Sequence, residues 1–105
     1  MKFTIIGRKI TLSDKQKDYV EKKLSKLDKF FRDEAEARVV IGTVKDKEYV
    51  EASIYASGMI YRAEITEVDC FAATDKIVDV IERQIRKNKT RLANLFKKNG
   101  DNYED

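Results

Sequence analysis

The chain has 105 residues, a length that suits one compact domain with a single core. Its 22 basic and 19 acidic residues leave a formal net charge of +3, it contains no histidine, and Cys70 is its one cysteine. These counts exclude an internal disulfide, a cysteine-based zinc cage and any catalytic site built on histidine, so we predict no catalytic residue, no metal site and no cofactor. No apolar run approaches the roughly 18 residues that cross a bilayer, and we expect a cytoplasmic protein without membrane contact.

The first third of the chain predicts a strand followed by a helix. Lys2 to Arg8 alternates weakly between polar and apolar residues, which is typical of a short strand. Ser13 and Gln16 have the spacing of a capping box, and apolar residues then recur at helical spacing up to Phe31. We therefore predict a helix over residues 14–32.

Three strands follow this helix, because the hydrophobic period changes to two. The predicted strands include residues 37–41, 50–56 and 61–65. The links between them, Lys45-Asp46-Lys47 and Ser57-Gly58, have the length that joins antiparallel neighbours. The three strands should therefore form a meander.

A second helix should begin after Asp69, which is placed to cap it, and run to about Lys98. Its apolar face consists of Cys70, Ala73, Thr74, Ile77, Ile81, Ile85, Leu92 and Leu95. Cys70 is accordingly interpreted as a buried core residue. We expect one domain over residues 1–98, followed by a short acidic tail over residues 99–105.

The order of elements predicts the fold class. A strand, a helix, three strands and a helix indicate an α+β sandwich, in which two helices pack on one face of a four-stranded sheet. We expect this sheet to be antiparallel throughout. The arrangement is like that of double-stranded RNA-binding domains.

Charge is sorted along the chain far more than the net value suggests. The segment from Arg83 to Lys98 contains seven basic residues and no Asp or Glu. At about 100° per residue, the first helix aligns a first basic row of Lys15, Lys22, Lys26 and Lys29. The second helix aligns a second basic row of Lys76, Arg83, Lys87, Arg91 and Lys98. The two rows could border one groove that follows a polyanion backbone, or they could simply keep the helices soluble.

Three segments resemble the ribosome hibernation promoting factor family, also called ribosome-associated inhibitor or S30AE proteins: FTIIGRKITLSDKQKDYVEKKLSKLDKFF, DCFAATD and IERQIRKNKTRL. The similarity extends from residue 2 to about residue 95. It implies the same order of elements and a non-enzymatic translation inhibitor that acts under stress. Such an inhibitor binds the rRNA of the small ribosomal subunit, where it competes with mRNA and tRNA.

Carried over by position, the resemblance implies these rRNA-binding residues: Arg8, Lys22, Lys23, Lys26, Lys29, Arg83, Arg86, Lys87, Lys89 and Arg91. The chain departs from the family at Cys70 and Phe71, where methionine and tyrosine are frequent. Long members of the family continue into a second domain that joins two ribosomes. We therefore interpret this chain as the N-terminal domain of a long form, with a short form as the alternative, and expect no dimerisation from this domain alone.

Two other functions fit the same pattern. The chain could be a generic double-stranded RNA-binding module, since two helices on a sheet can follow an A-form duplex. It could also be a protein-interaction domain that uses the exposed sheet face, with Tyr49, Tyr55 and Ile60 as anchors. A base-stacking platform of Tyr49, Tyr55 and Tyr61 has weaker support, because Tyr61 falls in phase with the core positions.

Overall fold

The computed structural model describes the backbone of residues 1–99 and the side chains of residues 1–90. The elements are, in order, β1 (Lys2–Gly7), α1 (Asp14–Leu24), a 3₁₀ helix (Ser25–Phe30), β2 (Glu36–Val44), β3 (Lys47–Ala56), β4 (Met59–Glu67) and α2 (Cys70–Asn99). The predicted order is confirmed. The predicted core contacts of Leu92 and Leu95, and the acidic tail after Asn99, lie outside the described residues. Within residues 1–99, no helix combines the length and the apolarity needed to cross a membrane.

The first helix begins as predicted and ends differently. The Gln16 amide N–H donates to Ser13 Oγ at 3.1 Å, and the Ser13 N–H donates to Gln16 Oε1 at 2.9 Å, so the capping box is confirmed. The prediction of one helix over 14–32 is wrong, because α1 ends at Leu24 and a 3₁₀ helix continues to Phe30. The tighter winding of three residues per turn brings Leu27 under Leu24, and both side chains are buried.

The sheet has the strand order β1-β2-β3-β4. β2, β3 and β4 pair antiparallel and confirm the predicted meander. β1 pairs parallel to β2, with Phe3 opposite Ala37 and Gly7 opposite Ile41. The expectation of a fully antiparallel sheet is therefore wrong at this edge. The cause is the connection, because α1 and the 3₁₀ helix return the chain to the end of the sheet from which β1 started.

Both helices lie on one face of the sheet, as predicted, and the core forms between them. Alternate residues of the strands face inward, among them Val39, Ile41, Val50, Ala52, Ile54 and Tyr61. They meet Val20, Leu24, Leu27, Ala73, Ile77, Ile81 and Ile85 from the helices. Full burial of each large aliphatic side chain stabilises the fold by about 1.5–3 kcal/mol relative to exposure.

The start of α2 is fixed by two carboxylates. Asp69 Oδ1 accepts the Ala72 N–H at 2.9 Å, which confirms the predicted cap. Glu48 Oε1, from β3, accepts the Cys70 N–H at 2.6 Å. Cys70 itself is 1% exposed, so its assignment to the core is confirmed, and burial raises the pKa of its thiol. A thiol held protonated in the core is not an available nucleophile.

The three tyrosines of the strands do not share a face. Tyr61 is buried on the inner face, as predicted, whereas Tyr49 and Tyr55 are on the outer face. Tyr49 is only 8% exposed because its ring lies over Gly42 of β2, where a Cβ would stand 2.5 Å from the ring. The outer face therefore offers Tyr55 and Ile60 as exposed apolar side chains, and no continuous tyrosine platform exists.

Candidate nucleic-acid interface

The first basic row is exposed along α1 and the 3₁₀ helix. Lys26 and Lys29 lie three residues apart in the 3₁₀ helix, where side chains at that spacing share one face. Among the described side chains, no carboxylate lies within ion-pair distance of Lys22, Lys26 or Lys29. Their charges are therefore available to an external anion.

Lys23, which the family resemblance adds to this set, has a different environment. Its Nζ lies 3.6 Å from Asp75 Oδ1 of α2 and 5.4 Å from the centre of the Tyr19 ring, and its side chain is 29% exposed. The Tyr19 hydroxyl donates to the same carboxylate oxygen at 2.7 Å. Lys23 is thus held at the contact between α1 and α2, with its charge partly compensated.

The second basic row does not face the first. Lys76 forms an ion pair with Glu67 at the end of β4, and Lys87 lines a groove with Met59 and Ile60 of the same strand. The prediction that the two rows border one groove is therefore wrong. The buried stripe of α2 separates the two flanks of that helix, and Lys76 and Lys87 of this row lie on the flank toward β4. The side chains of Arg91 and Lys98 lie outside the described residues.

The flank of α2 that faces the 3₁₀ helix carries Arg86 and Lys89 instead. Arg86 Cζ and Lys29 Nζ each lie 5.3 Å from the centre of the Phe30 ring. Lys89 and Arg32 line a cavity of about 440 Å³ together with Lys29 and Phe30. We call this set, Lys29, Phe30, Arg32, Arg86 and Lys89, the Phe30 cluster. It is the place where cations from both helical segments meet.

Charge changes sign along the exposed surface of α2. Asp75, Asp79 and Glu82 precede Arg83, and the residues after it include Arg86, Lys87 and Lys89. Asp75 is engaged by Tyr19 and Lys23, and Glu82 binds Arg86 at 2.9 Å. The positive potential is therefore concentrated toward the Phe30 end of the helical layer, where a polyanion would be attracted most strongly.

Two predicted residues lie away from this cluster. Arg8 follows β1 on the outer sheet side, where its Cζ is 6.0 Å from the centre of the Tyr49 ring. Arg83 is exposed, its Nε is 3.5 Å from the Asp79 carbonyl oxygen, and it lines a shallow depression with Asp79, Glu82 and Arg86. The predicted set is thus spread over three surfaces.

Sequence reasoning did not select Arg32 or Phe30. Arg32 lies just after the 3₁₀ helix, in a segment that the sequence assigned to a regular α-helix. Phe30 is adjacent to Phe31, and the sequence pattern does not indicate that the two rings pack differently. The backbone separates them, because Phe31 is extended (φ −116°, ψ 136°) and its ring packs against Tyr61 with centroids 6.1 Å apart.

The described residues contain no group of three or more Cys, Asp or Glu side chains that could hold a metal ion. The interface is built from cations and one partly buried aromatic ring. Such a surface can bind an anionic polymer and can keep other molecules from the place that it occupies.

Comparison with known proteins gives consistent matches. The sequence profile of the family described as Sigma 54 modulation protein / S30EA ribosomal protein matches residues 3–93. A ribosome hibernation promotion factor of Deinococcus radiodurans is 40% identical over 95 residues, covering 85% of this chain and 49% of that protein. One from Staphylococcus aureus is 34% identical over 107 residues, covering 96% and 55%. The chain thus spans about half the length of these relatives.

Solved structures have the same fold. The crystal structure of the Thermus thermophilus Protein Y N-terminal domain superposes with a TM-score of 0.77 at 35% identity, covering 83% of this chain and 98% of that one. A ribosomal subunit interface protein from Coxiella burnetii gives a TM-score of 0.74 at 21% identity, covering 86% and 99%. The second likeness concerns the fold alone.

Proposed function

This chain belongs to the Sigma 54 modulation protein / S30EA ribosomal protein family, and from that premise we propose that it is a ribosome-binding domain that promotes hibernation. It would occupy the mRNA and tRNA channel of the small subunit through rRNA contacts and inhibit translation without catalysis. The relatives called ribosome hibernation promotion factors are about twice as long as this chain. The proposal therefore concerns the function of this domain and not that of a whole relative.

The observation that carries the proposal is the set of uncompensated cations. Lys22, Lys26, Lys29 and Lys89 have no described carboxylate within ion-pair distance, and Arg86, which is paired with Glu82, adds a partly compensated charge from α2. Phosphates of a folded RNA are the natural partner of such a surface, because each contact releases condensed counterions.

The residues that we propose for rRNA contact are those that the family resemblance implies. Lys22, Lys26, Lys29, Arg86 and Lys89 lie along the helical layer and would form one continuous contact. Lys87 on the β4 flank of α2, Arg83 on the exposed side of the same helix, and Arg8 beside Tyr49 would reach RNA on other sides of the domain. A domain inserted into a channel meets RNA on more than one side, which fits this distribution.

Occupancy is the proposed mechanism. A rigid domain with an intact core fills a channel that mRNA and tRNA must enter, so binding alone excludes both. No step requires a proton transfer or a nucleophile. The inhibition should therefore follow the bound fraction of the domain and should be reversed by added salt.

The test is co-sedimentation of the purified chain with purified small subunits, at about 50 and about 200 mM salt. With about five to eight phosphate contacts, we expect the affinity to fall about a hundredfold or more over this range. Prebound chain should prevent the binding of mRNA and tRNA. A salt-independent affinity, or simultaneous binding of the chain with mRNA and tRNA, would contradict the proposal.

Free duplex RNA separates the proposed function from a generic double-stranded RNA-binding module. The chain is first bound to small subunits, and a duplex of about 16 base pairs, the length that such modules span, is then added. We expect small subunits to retain the chain at duplex concentrations equal to their own. Efficient displacement by the duplex would favour the generic module.

A further inference from the structure

We propose that Phe30 is a stacking site for one unpaired nucleotide of the RNA that this domain binds. The inference rests on the proposed function and adds a specific contact to it. The proposal is based on the Phe30 ring, which lies among the cations of the Phe30 cluster and beside a cavity that a nucleotide could enter.

The two adjacent phenylalanines both line this cavity and differ in their other neighbours. Phe31 points toward Tyr61, a buried core residue. Phe30 is partly buried, and its ring is approached by Lys29 from its own helix and by Arg86 from α2, each at 5.3 Å. A ring that served only to fill the core would not need cations beside it. Aromatic rings and Arg guanidinium planes are, however, the two kinds of side-chain surface on which splayed-out RNA bases stack.

The cavity beside Phe30 has a suitable size and charge. Its volume is about 440 Å³, and its lining includes Lys29, Arg32 and Lys89 with one acidic residue, Asp33. Small-ligand sites commonly measure about 300–1,000 Å³. A base could stack on Phe30 while the flanking phosphates meet the cations. A regular duplex cannot use this site, because its bases are already stacked on one another.

Stacking and phosphate contacts differ in their dependence on salt. A phosphate contact contributes about 0.7–0.9 to the slope of log affinity against log salt, whereas stacking on a neutral ring contributes almost nothing. Phe30→Leu keeps an apolar side chain against the core and removes the ring. We expect it to lower affinity for small subunits about tenfold, within the range known for stacked bases, with an unchanged salt slope.

Three variants make the test specific. Lys89→Gln should lower both the affinity and the salt slope, since it removes a charge from the same cavity. Phe30→Trp should bind at least as tightly as the native chain, because a larger ring retains the stacking surface. Tyr55→Leu removes an exposed aromatic ring from the outer sheet face and should leave binding unchanged.

The source of the nucleotide is tested with 5′-AMP. We expect millimolar 5′-AMP not to displace the chain from small subunits. A displacement that disappears in Phe30→Leu would show that 5′-AMP competes for this ring and would support stacking, whereas equal displacement of both proteins would show that Phe30 takes no part and would count against the proposal.

The outcomes separate this inference from the proposed function. If the native chain does not bind small subunits, the proposed function fails. If the native chain binds and a folded Phe30→Leu variant binds equally well, only the stacking site is refuted. If Phe30→Leu does not fold, Phe30→Trp decides: wild-type or tighter binding supports stacking, and a loss refutes it.

Discussion

The Tyr19 hydroxyl donates a hydrogen bond to Asp75 Oδ1 at 2.7 Å and thereby joins α1 directly to α2. This bond to the carboxylate raises the pKa of Tyr19, and desolvation and the charge of Asp75 act in the same direction. Lys23, 3.6 Å from the same carboxylate oxygen, acts in the opposite direction. The contact positions the first basic row relative to α2.

This contact predicts a pH dependence of stability. The folded state holds the Tyr19 proton more tightly than the unfolded state, so the contribution is complete below the ordinary tyrosine pKa of about 10. It is lost as the pH rises through the raised pKa of the folded protein. We expect the native chain to be more stable than Tyr19→Phe near neutral pH, and this difference to shrink above about pH 10.

Urea unfolding of both proteins at a series of pH values measures the difference, and comparison with Tyr19→Phe removes the effect of the other tyrosines. A difference that stays constant well above pH 10 would show that the hydroxyl proton does not carry the contact.

Charge reversal tests the proposed rRNA contacts. Lys29→Glu combined with Lys89→Glu should lower affinity for small subunits by far more than tenfold, because two attractive contacts become repulsive. Both positions are exposed, so the free energy of unfolding should change by no more than about 1 kcal/mol in total. Filter binding and urea unfolding give the two quantities.

The matched control for this pair is Lys45→Glu combined with Lys47→Glu, at the turn between β2 and β3. It makes the same change in net charge away from the helical layer. Equal losses in the two double variants would mean that net charge, and not the position of the cations, determines binding.

The sequence was sufficient where local pattern determines structure. The capping box determined where α1 begins, and the two-residue period with short links determined the β2-β3-β4 meander. The change to a 3₁₀ helix at Ser25 was not predictable, because the spacing of three between Leu24 and Leu27 places both side chains on one face in either type of helix. The parallel pairing of β1 was missed although its signal was present, because a strand-helix-strand connection is the kind that joins parallel neighbours.

The candidate site was predictable in composition and less so in arrangement. A helical wheel gives angles around α2, but it does not say which flank faces the 3₁₀ helix. That choice depends on how Ile77, Ile81 and Ile85 dock on the sheet. It places Arg86 over the Phe30 ring, although Arg86 and its neighbour Lys87 both line the groove beside Met59 and Ile60 of β4.

Cys70→Ser should destabilise the fold and leave RNA binding unchanged in the folded fraction. The side chain is 1% exposed and its Sγ lies 3.5 Å from Gln16 Nε2. A serine hydroxyl at this position would therefore need hydrogen-bond partners inside the core. We expect a loss of about 1–3 kcal/mol in the free energy of unfolding. Cys70→Ala is the control that shortens the side chain without adding a polar group.

Iodoacetamide provides an independent check on the same residue. Burial raises the pKa of the Cys70 thiol, so the folded protein should react slowly and the protein in urea rapidly. Rapid alkylation under native conditions, with loss of ribosome binding, would place the thiol at the interface and contradict its assignment to the core.

The last prediction concerns ribosome pairing: this chain alone should bind single ribosomes and should not join them in pairs. Its cationic surfaces repel their own copies across a two-fold axis. The β4 edge is partly blocked, since Gln84 Nε2 donates to the Arg62 carbonyl oxygen at 2.7 Å. The outer sheet face, where Tyr55 and Ile60 are 43% and 56% exposed, is the surface among the described residues best suited to self-association.

Sucrose-gradient sedimentation with purified ribosomes should give single ribosomes. A peak of paired ribosomes that disappears with Tyr55→Ser and Ile60→Ser would refute the prediction and assign pairing to that face.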